Sequence, residues 1–468
     1  MRFTKIVCSV GPATSTPAQI EELARMGMNV ARINLSHGTR EQHLHFIRTL
    51  KDLNDQGKYC VAVMLDTKGT EIRTGDVTDP IVITKGDEVV FSPIPCPDEK
   101  RKVIIVSYDG FSKDVRDAER ILIDNGEITF ELLSTETNGR VIARALDNGS
   151  IGKRRHVNLP GADIDLPTFS PQDWDDMAFA AEEQVDYVAL SFVRSAADVE
   201  QVRLFLQEKR SAIRIIAKIE TRQAVDDIAE ILRVSDGIMV ARGDLGAEMP
   251  FERLPVIQDQ IVALCKEAGK PVIVATHMLE SMINHPMPTR AEVTDIAHAA
   301  TTGADATMLS AESSIGQYAF AAVDAMDRVL QATEAHLKRF APMEDTGVHD
   351  EREARAEAAV TLAVSTEAAA LVVITRTGKS AVDIAKFRPR IPIIAFTHRP
   401  DIQRSLQMSY GILPLLVSFH DDPEQTVDIA MEKIHSLKLF PSGTRIVLVS
   451  DAKAHEQAVN TIQIRSIP

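Results

Sequence analysis

No run of about 18 apolar residues, the least that crosses a bilayer as a helix, occurs in this 468-residue sequence. A membrane-spanning helix is thereby excluded, and no membrane partner is expected. Cysteine is scarce as well. Cys8, Cys60, Cys96 and Cys265 show no C-x-x-C pair and no metal-ligand spacing, and Cys8, Cys60 and Cys265 lie within or beside apolar runs. They read as buried thiols of a reducing compartment, not as a disulfide frame or a zinc site. Positive charge is deficient: 52 Lys and Arg stand against 67 Asp and Glu, a net charge of -15. That balance argues against nucleic acid as the main partner, and an anionic substrate would need local cations to overcome the global field. No low-complexity tract or internal repeat stands out. The N-terminus enters a strand almost at once, without an apolar signal core or an Arg/Ser-rich transit segment, so a cytoplasmic location is expected.

What the chain does have is length and an apolar content of 44%, enough for two or three domains. Apolar, β-branched runs recur at Lys5 to Val10, Asn29 to Asn34, Cys60 to Asp66, Tyr187 to Phe192, Arg214 to Ile219, Gly237 to Val240, Pro271 to Thr276 and Ala306 to Ser310. Helix-period segments lie between most of them, such as Thr16 to Met26, Ala196 to Lys209 and Leu254 to Ala268. Strand and helix alternating eight times predict an α/β fold, a (β/α)8 TIM barrel with a buried parallel sheet. Residues 71–156 break the pattern. They alternate with period two between Gly and Asn/Asp turns, which predicts an inserted small all-β domain. The barrel is therefore expected from residues 1–70 and 157–340. A polar linker follows at 341–350, and a C-terminal α/β domain at 351–468.

In such a barrel the chemistry sits at the C-terminal ends of the strands. The fifth strand ends in Lys218 and Glu220, and the sixth in Asp244, which places one lysine and two carboxylates at neighbouring strand ends. Glu220 and Asp244 can share a divalent cation, Mg2+ best, since it favours few hard oxygen ligands and completes its shell with water and phosphate. Lys218 is the point charge for a phosphoryl or enolate oxygen. The bland reading is a surface salt bridge beside an incidental Arg-Gly-Asp. Arg32, Arg73 and Arg242 add positive charge, while Asn34, Ser36, Asp66 and Thr67 cluster oxygens that suggest a second cation site or, alternatively, turn caps. Thr276 ends the seventh strand, and Ser310 with Glu312 follows the eighth.

The motifs Lys5 to Ala13, Ala31 to Gly38, Leu65 to Gly75, Val157 to Gly161, Ala217 to Glu220, Val240 to Gly246, Ala275 to Met282, Pro288 to Glu292 and Met308 to Glu312 resemble, in order and spacing, those of pyruvate kinases. The resemblance implies that the small all-β insert is a lid over the barrel, and it implies phosphate transfer from phosphoenolpyruvate to ADP, giving pyruvate and ATP, with Mg2+ (or Mn2+) and K+ as cofactors and a homotetramer as the assembly. It implies that Arg32 binds the substrate and that Lys218 stabilises the phosphoryl group in flight. Glu220 and Asp244 would ligate the magnesium, with Gly243 and Asp244 lining the substrate carboxylate. Asn34, Ser36, Asp66 and Thr67 would hold the potassium, and Asn34, His37, Arg73 and Arg155 would contact the nucleotide. Thr276, Ser310 and Glu312 would lie near the enolate carbon, where a hydroxyl held by a carboxylate makes a proton path. Family members that work without potassium carry Lys at the position of Glu71, so a potassium requirement is implied here.

Several positions depart from the family pattern: Thr70 for Pro, Arg155 for Lys, His277 for Gln, Met287 for Arg, and Ala311 and Ser313 for Gly and Thr. Thr375, Arg376, Thr377, Gly378, Lys379 and Ser380 follow a strand and open a helix, a geometry suited to an anion. They resemble the family's loop for a phosphorylated-sugar effector, but Ser450 to Asn460 lack the Gly/Pro-rich segment that usually closes that pocket. Two other readings stand beside this one. One is a Mg-dependent aldolase or mutase forming a pyruvate enolate on the same barrel, and the other is a catalytically impaired paralogue acting as a regulatory subunit.

Overall fold

The computed structural model describes residues 2–340, 350–454 and 457–468. Eight parallel strands close a barrel in chain order: Lys5–Ser9, Val30–Asn34, Ala62–Asp66, Tyr187–Leu190, Arg214–Ile219, Gly237–Ala241, Val272–Ala275 and Ala306–Leu309. The ring closes where the first strand pairs with the eighth, Lys5 opposite Ala306 through Cys8 opposite Leu309. The helices start where the sequence signals them. Thr16 caps Pro17–Arg25 by accepting the Gln19 N–H, Pro17 fills the first turn where an N–H has no partner, and Gly303 ends Arg290–Thr302 at φ 85°.

Strand side chains alternate faces, and this parity builds the site. Val7, Val30, Met64, Ala189, Ile216 and Met308 pack together inside the barrel. Ile6, Ile33, Leu65, Leu190, Ala217 and Leu309 pack outward against the helices. Residues two places beyond the inward set therefore also point inward, at the C-terminal mouth: Ser9, Arg32, Asp66, Ser191, Lys218 and Ser310.

The inserted segment forms a six-stranded sheet and a two-stranded one, with the short helix Phe111–Asp114 beside them. Its own core centres on Phe91, which meets Phe130 edge-on at 5.2 Å and Phe111 at 5.7 Å. The sheet also takes in Val157–Asn158, which pairs with Ile121–Ile123 just past the expected end of the insert. The C-terminal domain is a five-stranded sheet in which Ile412–Leu416, Ile393–Thr397, Leu371–Ile374 and Arg445–Ala454 run parallel and Gln457–Ser466 antiparallel. Of the expected linker, 341–349 lie outside the described residues; Asp350 caps the helix Glu351–Ser365. The C-terminal domain packs on the barrel's N-terminal end, where Arg404 pairs with Asp186 at 2.8 Å and Arg388 with Asp305 at 2.7 Å. The face that carries the chemistry stays free of it.

Candidate active site

The centre of the mouth is a buried charge cluster. Lys218 Nζ lies 2.9 Å from Glu220 Oε1 and 3.1 Å from Asp66 Oδ1, and donates to Ser191 Oγ at 2.6 Å. Arg32 closes the other side, its Nε 2.6 Å from Asp66 Oδ2 and its Nη1 donating to Ser9 Oγ at 2.8 Å. Lys218, Asp66 and Glu220 are all buried, so each charge depends on its partners. Burial works against Lys218's charge, but Asp66 and Glu220 raise its pKa and keep it an ammonium. Burial likewise opposes the Asp66 charge, yet Arg32 and Lys218 hold that carboxyl below the usual range. Glu220 fares differently. Burial pushes it up to about 7, Lys218 pulling against that and Asp244 adding to it.

Glu220 Oε2 accepts the Phe192 N–H at 2.7 Å, which orients the carboxylate. Asp244 sits half-buried in the helix Arg242–Glu248, just past the sixth strand. Its charge acts on both Lys218 and Glu220. Two carboxylates so placed, one of them pushed towards neutrality, fit a divalent cation that would relieve both. Among the described residues no three His, Cys, Asp or Glu side chains gather to hold a metal unaided. Two carboxylates are few, hard donors, which would leave the rest of such an ion's shell to water and to a ligand oxygen.

The oxygens expected to hold potassium are brought near one another, since Asn34 is the register partner of Asp66 and Thr67 follows. Asn34 and Thr67 are also engaged within the protein: Asn34 Oδ1 accepts the Ser36 N–H at 3.0 Å, and Thr67 Oγ1 accepts the Ser191 N–H at 3.2 Å. The cap reading of Asn34 is thus realised as well. His37 is exposed, and its carbonyl accepts from the His43 ring at 2.7 Å. Ser9, Arg32, Asn34, His37, Thr276 and Ser310 line one cavity of about 650 Å³ beside the charge cluster. Arg73 and Arg155 stand apart from it, on the lid side, paired with Glu71 and with Asp124 (3.0 Å) respectively.

Two expectations need correction. Arg242 does not lend its charge to the mouth. From its place at the start of the helix Arg242–Glu248 it turns to Asp295 at 2.6 Å and to the carbonyls of Ala275 and Thr276. Ser310 and Glu312 do not form a hydroxyl-carboxylate pair. Glu312 accepts the backbone N–H groups of Ser310 (2.7 Å) and Leu279 (3.1 Å), fastening the turns after the seventh and eighth strands. Ser310 Oγ is buried without a hydrogen-bond partner among the described residues, and it does not cap the following helix. The Gly243 N–H donates to Thr276 Oγ1 at 2.8 Å. Thr276 and His277 hold φ of 67° and 55°, a strained turn that aims the threonine inward. Ser9 and Ser191 were not singled out in the sequence. Their inward parity at strand ends was the signal that could have found them.

In the C-terminal domain Thr375 Oγ1 accepts the Gly378 N–H at 3.0 Å, and Arg376 and Lys379 are exposed at the start of the helix Lys379–Lys386. Gly378 holds φ 82°, and a Cβ there would meet Leu406 at 3.1 Å, so the turn needs glycine. Of the segment expected to lack a closing loop, residues 450–454 and 457–460 lie in paired strands, in register from Ser450 opposite Thr461 to Ala454 opposite Gln457, and 455–456 lie outside the described residues. Met287 is 71% exposed.

A closed parallel barrel whose mouth holds a lysine, an arginine and three carboxylates, flanked by a β-rich insert, defines a barrel enzyme built for an anionic substrate and a cation. Residues 1–323 match the family model described as the pyruvate kinase barrel domain, and residues 353–465 match that of the pyruvate kinase alpha/beta domain. The chain belongs to the pyruvate kinase family. It is 39% identical over 472 residues to "Plastidial pyruvate kinase 2" of Arabidopsis thaliana, which covers 100% of this chain and 81% of that protein. It is also 39% identical to a pyruvate kinase of Dictyostelium discoideum, over 96% of this chain and 90% of that one. A crystal structure of a pyruvate kinase from Cryptosporidium parvum superposes with a TM-score of 0.91 at 34% identity, covering 100% of this chain and 96% of the other.

Proposed function

We propose that this pyruvate kinase family member transfers the phosphoryl group of phosphoenolpyruvate to ADP at the Lys218 cluster, giving ATP and a pyruvate enolate that is then protonated. The single observation that carries the reading is the lysine held charged between buried carboxylates at the barrel mouth, within reach of Arg32. Phosphoryl transfer asks little covalent help of a protein and much alignment and charge stabilisation. Arg32 would anchor the phosphate, and Lys218 would meet the charge that develops on the migrating group. Glu220 and Asp244 would hold Mg2+ or Mn2+, which would supply neutralising charge for the anionic substrate. Thr276 and Ser310, which line the same cavity, would relay a proton to the enolate carbon, and Glu312 holds the turn that carries Ser310. A spectrophotometric assay for ADP-dependent pyruvate formation tests the reading. Activity without ADP would favour the aldolase or mutase class, and none at all a regulatory paralogue.

A potassium requirement belongs to the same proposal, with Asn34, Ser36, Asp66 and Thr67 as ligands. The requirement rests on Asp66 at the mouth and on Glu71, paired with Arg73 on the lid side: brought close to a highly charged substrate in a partly closed site, both carboxylates would repel it. With tetramethylammonium as the only monovalent cation, ADP affinity and turnover should each fall by about tenfold, some 1.4 kcal/mol. Glu71→Lys should restore part of the potassium-free rate, limited by the Glu71–Arg73 ion pair it removes. Full activity of the parent protein in that buffer would refute the requirement.

Regulation is proposed at Thr375 to Ser380. Arg376→Ala and Lys379→Ala should abolish activation by a phosphorylated sugar and leave unactivated turnover nearly intact, because the loop lies in a separate domain. If no phosphorylated metabolite shifts the substrate saturation curve, Thr375 is simply the turn's internal brace. Homotetramer assembly and a cytoplasmic location are proposals too, checked by light scattering and by cell fractionation. Among the described residues no helix is long and apolar enough to cross a membrane.

A further inference from the structure

Two stretches of chain carry the lid, one leaving the barrel after Asp66 and one returning after Arg155. They run side by side: Thr74 N–H donates to Arg155 O at 2.7 Å, Val157 N–H to Ile72 O at 2.8 Å and Thr70 N–H to Thr168 O at 3.3 Å. The last of these bonds is one that Thr70 can make and a proline there could not. Between the paired stretches and the barrel mouth lies a narrow polar cavity lined in part by Thr70, Asn158, Arg194 and Glu248. Asn158 is 5% exposed, and its Nδ2 donates across the cavity to Glu248 Oε1 at 3.4 Å. Its Oδ1 has no hydrogen-bond partner among the described residues.

Glu248 is the last residue of the helix Arg242–Glu248, one turn beyond Asp244. A helix this short has little stiffness of its own, so its orientation follows whatever grips its ends. The barrel grips the first end, through Gly243 N–H on Thr276 Oγ1 and Arg242 on Asp295. The lid's returning hinge grips the other through Asn158. Arg194 steadies the same hinge by donating to the carbonyls of Ile164 and Leu166 at 2.9 and 2.8 Å. Burial pushes the Glu248 carboxyl up, Asn158 and Arg194 oppose this, and the Asp244 charge adds to it, so the two carboxylates feel one another along the helix.

We propose that Glu248 is a positioning residue for the metal site: through Asn158 it fastens the returning lid hinge to the helix that carries Asp244, so that lid posture and the placement of Asp244 change together. This rests on the reading of Asp244 as a metal ligand. A displaced hinge moves the far end of the helix and swings Asp244 away from Glu220; a seated one holds the two carboxylates at a common ion.

The test is direct Mn2+ binding to the full-length protein, followed by the electron paramagnetic resonance signal of the free ion, with kcat and circular-dichroism melting recorded alongside. Glu248→Ala and Asn158→Ala should each weaken Mn2+ binding about three- to tenfold, at or below the lower end for a lost outer-sphere support, with melting close to the parent's. The double variant should bind no more weakly than either single one, since both remove the same link. Glu248→Gln keeps an oxygen for the Asn158 amide and should restore binding, a rescue that a general packing role would not show. Asp244→Asn is the reference. If it abolishes Mn2+ binding while both alanine variants leave it unchanged, or if the double loss is additive, the positioning role of Glu248 is wrong and the metal reading stands. If Asp244→Asn itself leaves Mn2+ binding intact, the metal lies elsewhere and both fall. Should Glu248→Ala fail to fold, Asn158→Ala and Glu248→Gln decide the question alone.

Discussion

Lys218→Met lowers kcat by at least about a hundredfold, the scale of losing one preorganised charge donor in a site screened from water. The structure sharpens the expectation. Lys218 neutralises two buried carboxylates at once, so its removal takes away the charge aimed at the phosphoryl group and leaves Glu220 with the Phe192 N–H as its remaining hydrogen-bond donor. Asp66 keeps Arg32, and methionine fills most of the lysine's volume, so the fold should survive. Thermal melting checks this. Exchange of pyruvate methyl hydrogens with solvent needs no phosphoryl transfer and should persist in the variant. Near-normal turnover would end the assignment of Lys218.

Glu220→Gln and Asp244→Asn form the second test, read as the Mg2+ concentration that gives half-maximal activity. Each removes a hard anionic ligand and should raise that concentration by about tenfold or more. Glu220→Gln should have the larger effect: the amide still accepts the Phe192 N–H, but it no longer attracts the ion and no longer balances Lys218. Asp244→Asn leaves the Lys218–Glu220 pair untouched. Unchanged titrations in both variants would place the metal elsewhere.

Much of this was legible before any coordinates. Each barrel strand announced itself as a β-branched run, and each run that ended in charge ended at the mouth, as Lys218 and Asp66 show. The residues that were misread share a different cause. Arg242 looks like site charge because sequence proximity to Asp244 says nothing of which partner its side chain turns to at the start of the helix. Ser310 and Glu312, two apart, suit either a hydroxyl-carboxylate pair or a carboxylate on backbone N–H groups; only the turn geometry selects the second. Ser191 carries no signal of its own beyond parity. The Asn158–Glu248 contact spans two domains and 90 residues of chain, beyond the reach of any local pattern.

The parity of the barrel strands also governs how this protein can tolerate insertion and deletion. Lys218 faces the mouth because Ile216 faces the barrel interior two residues earlier. Removing one residue between Arg214 and Lys218 would exchange the two faces, pointing the ammonium at the surrounding helices and an apolar side chain at the substrate. The composition would hardly change and every chemical group would remain in the chain. Length changes should therefore be borne in the loops and the lid, whereas inside the eight strands even a single-residue shift is equivalent to deleting the site.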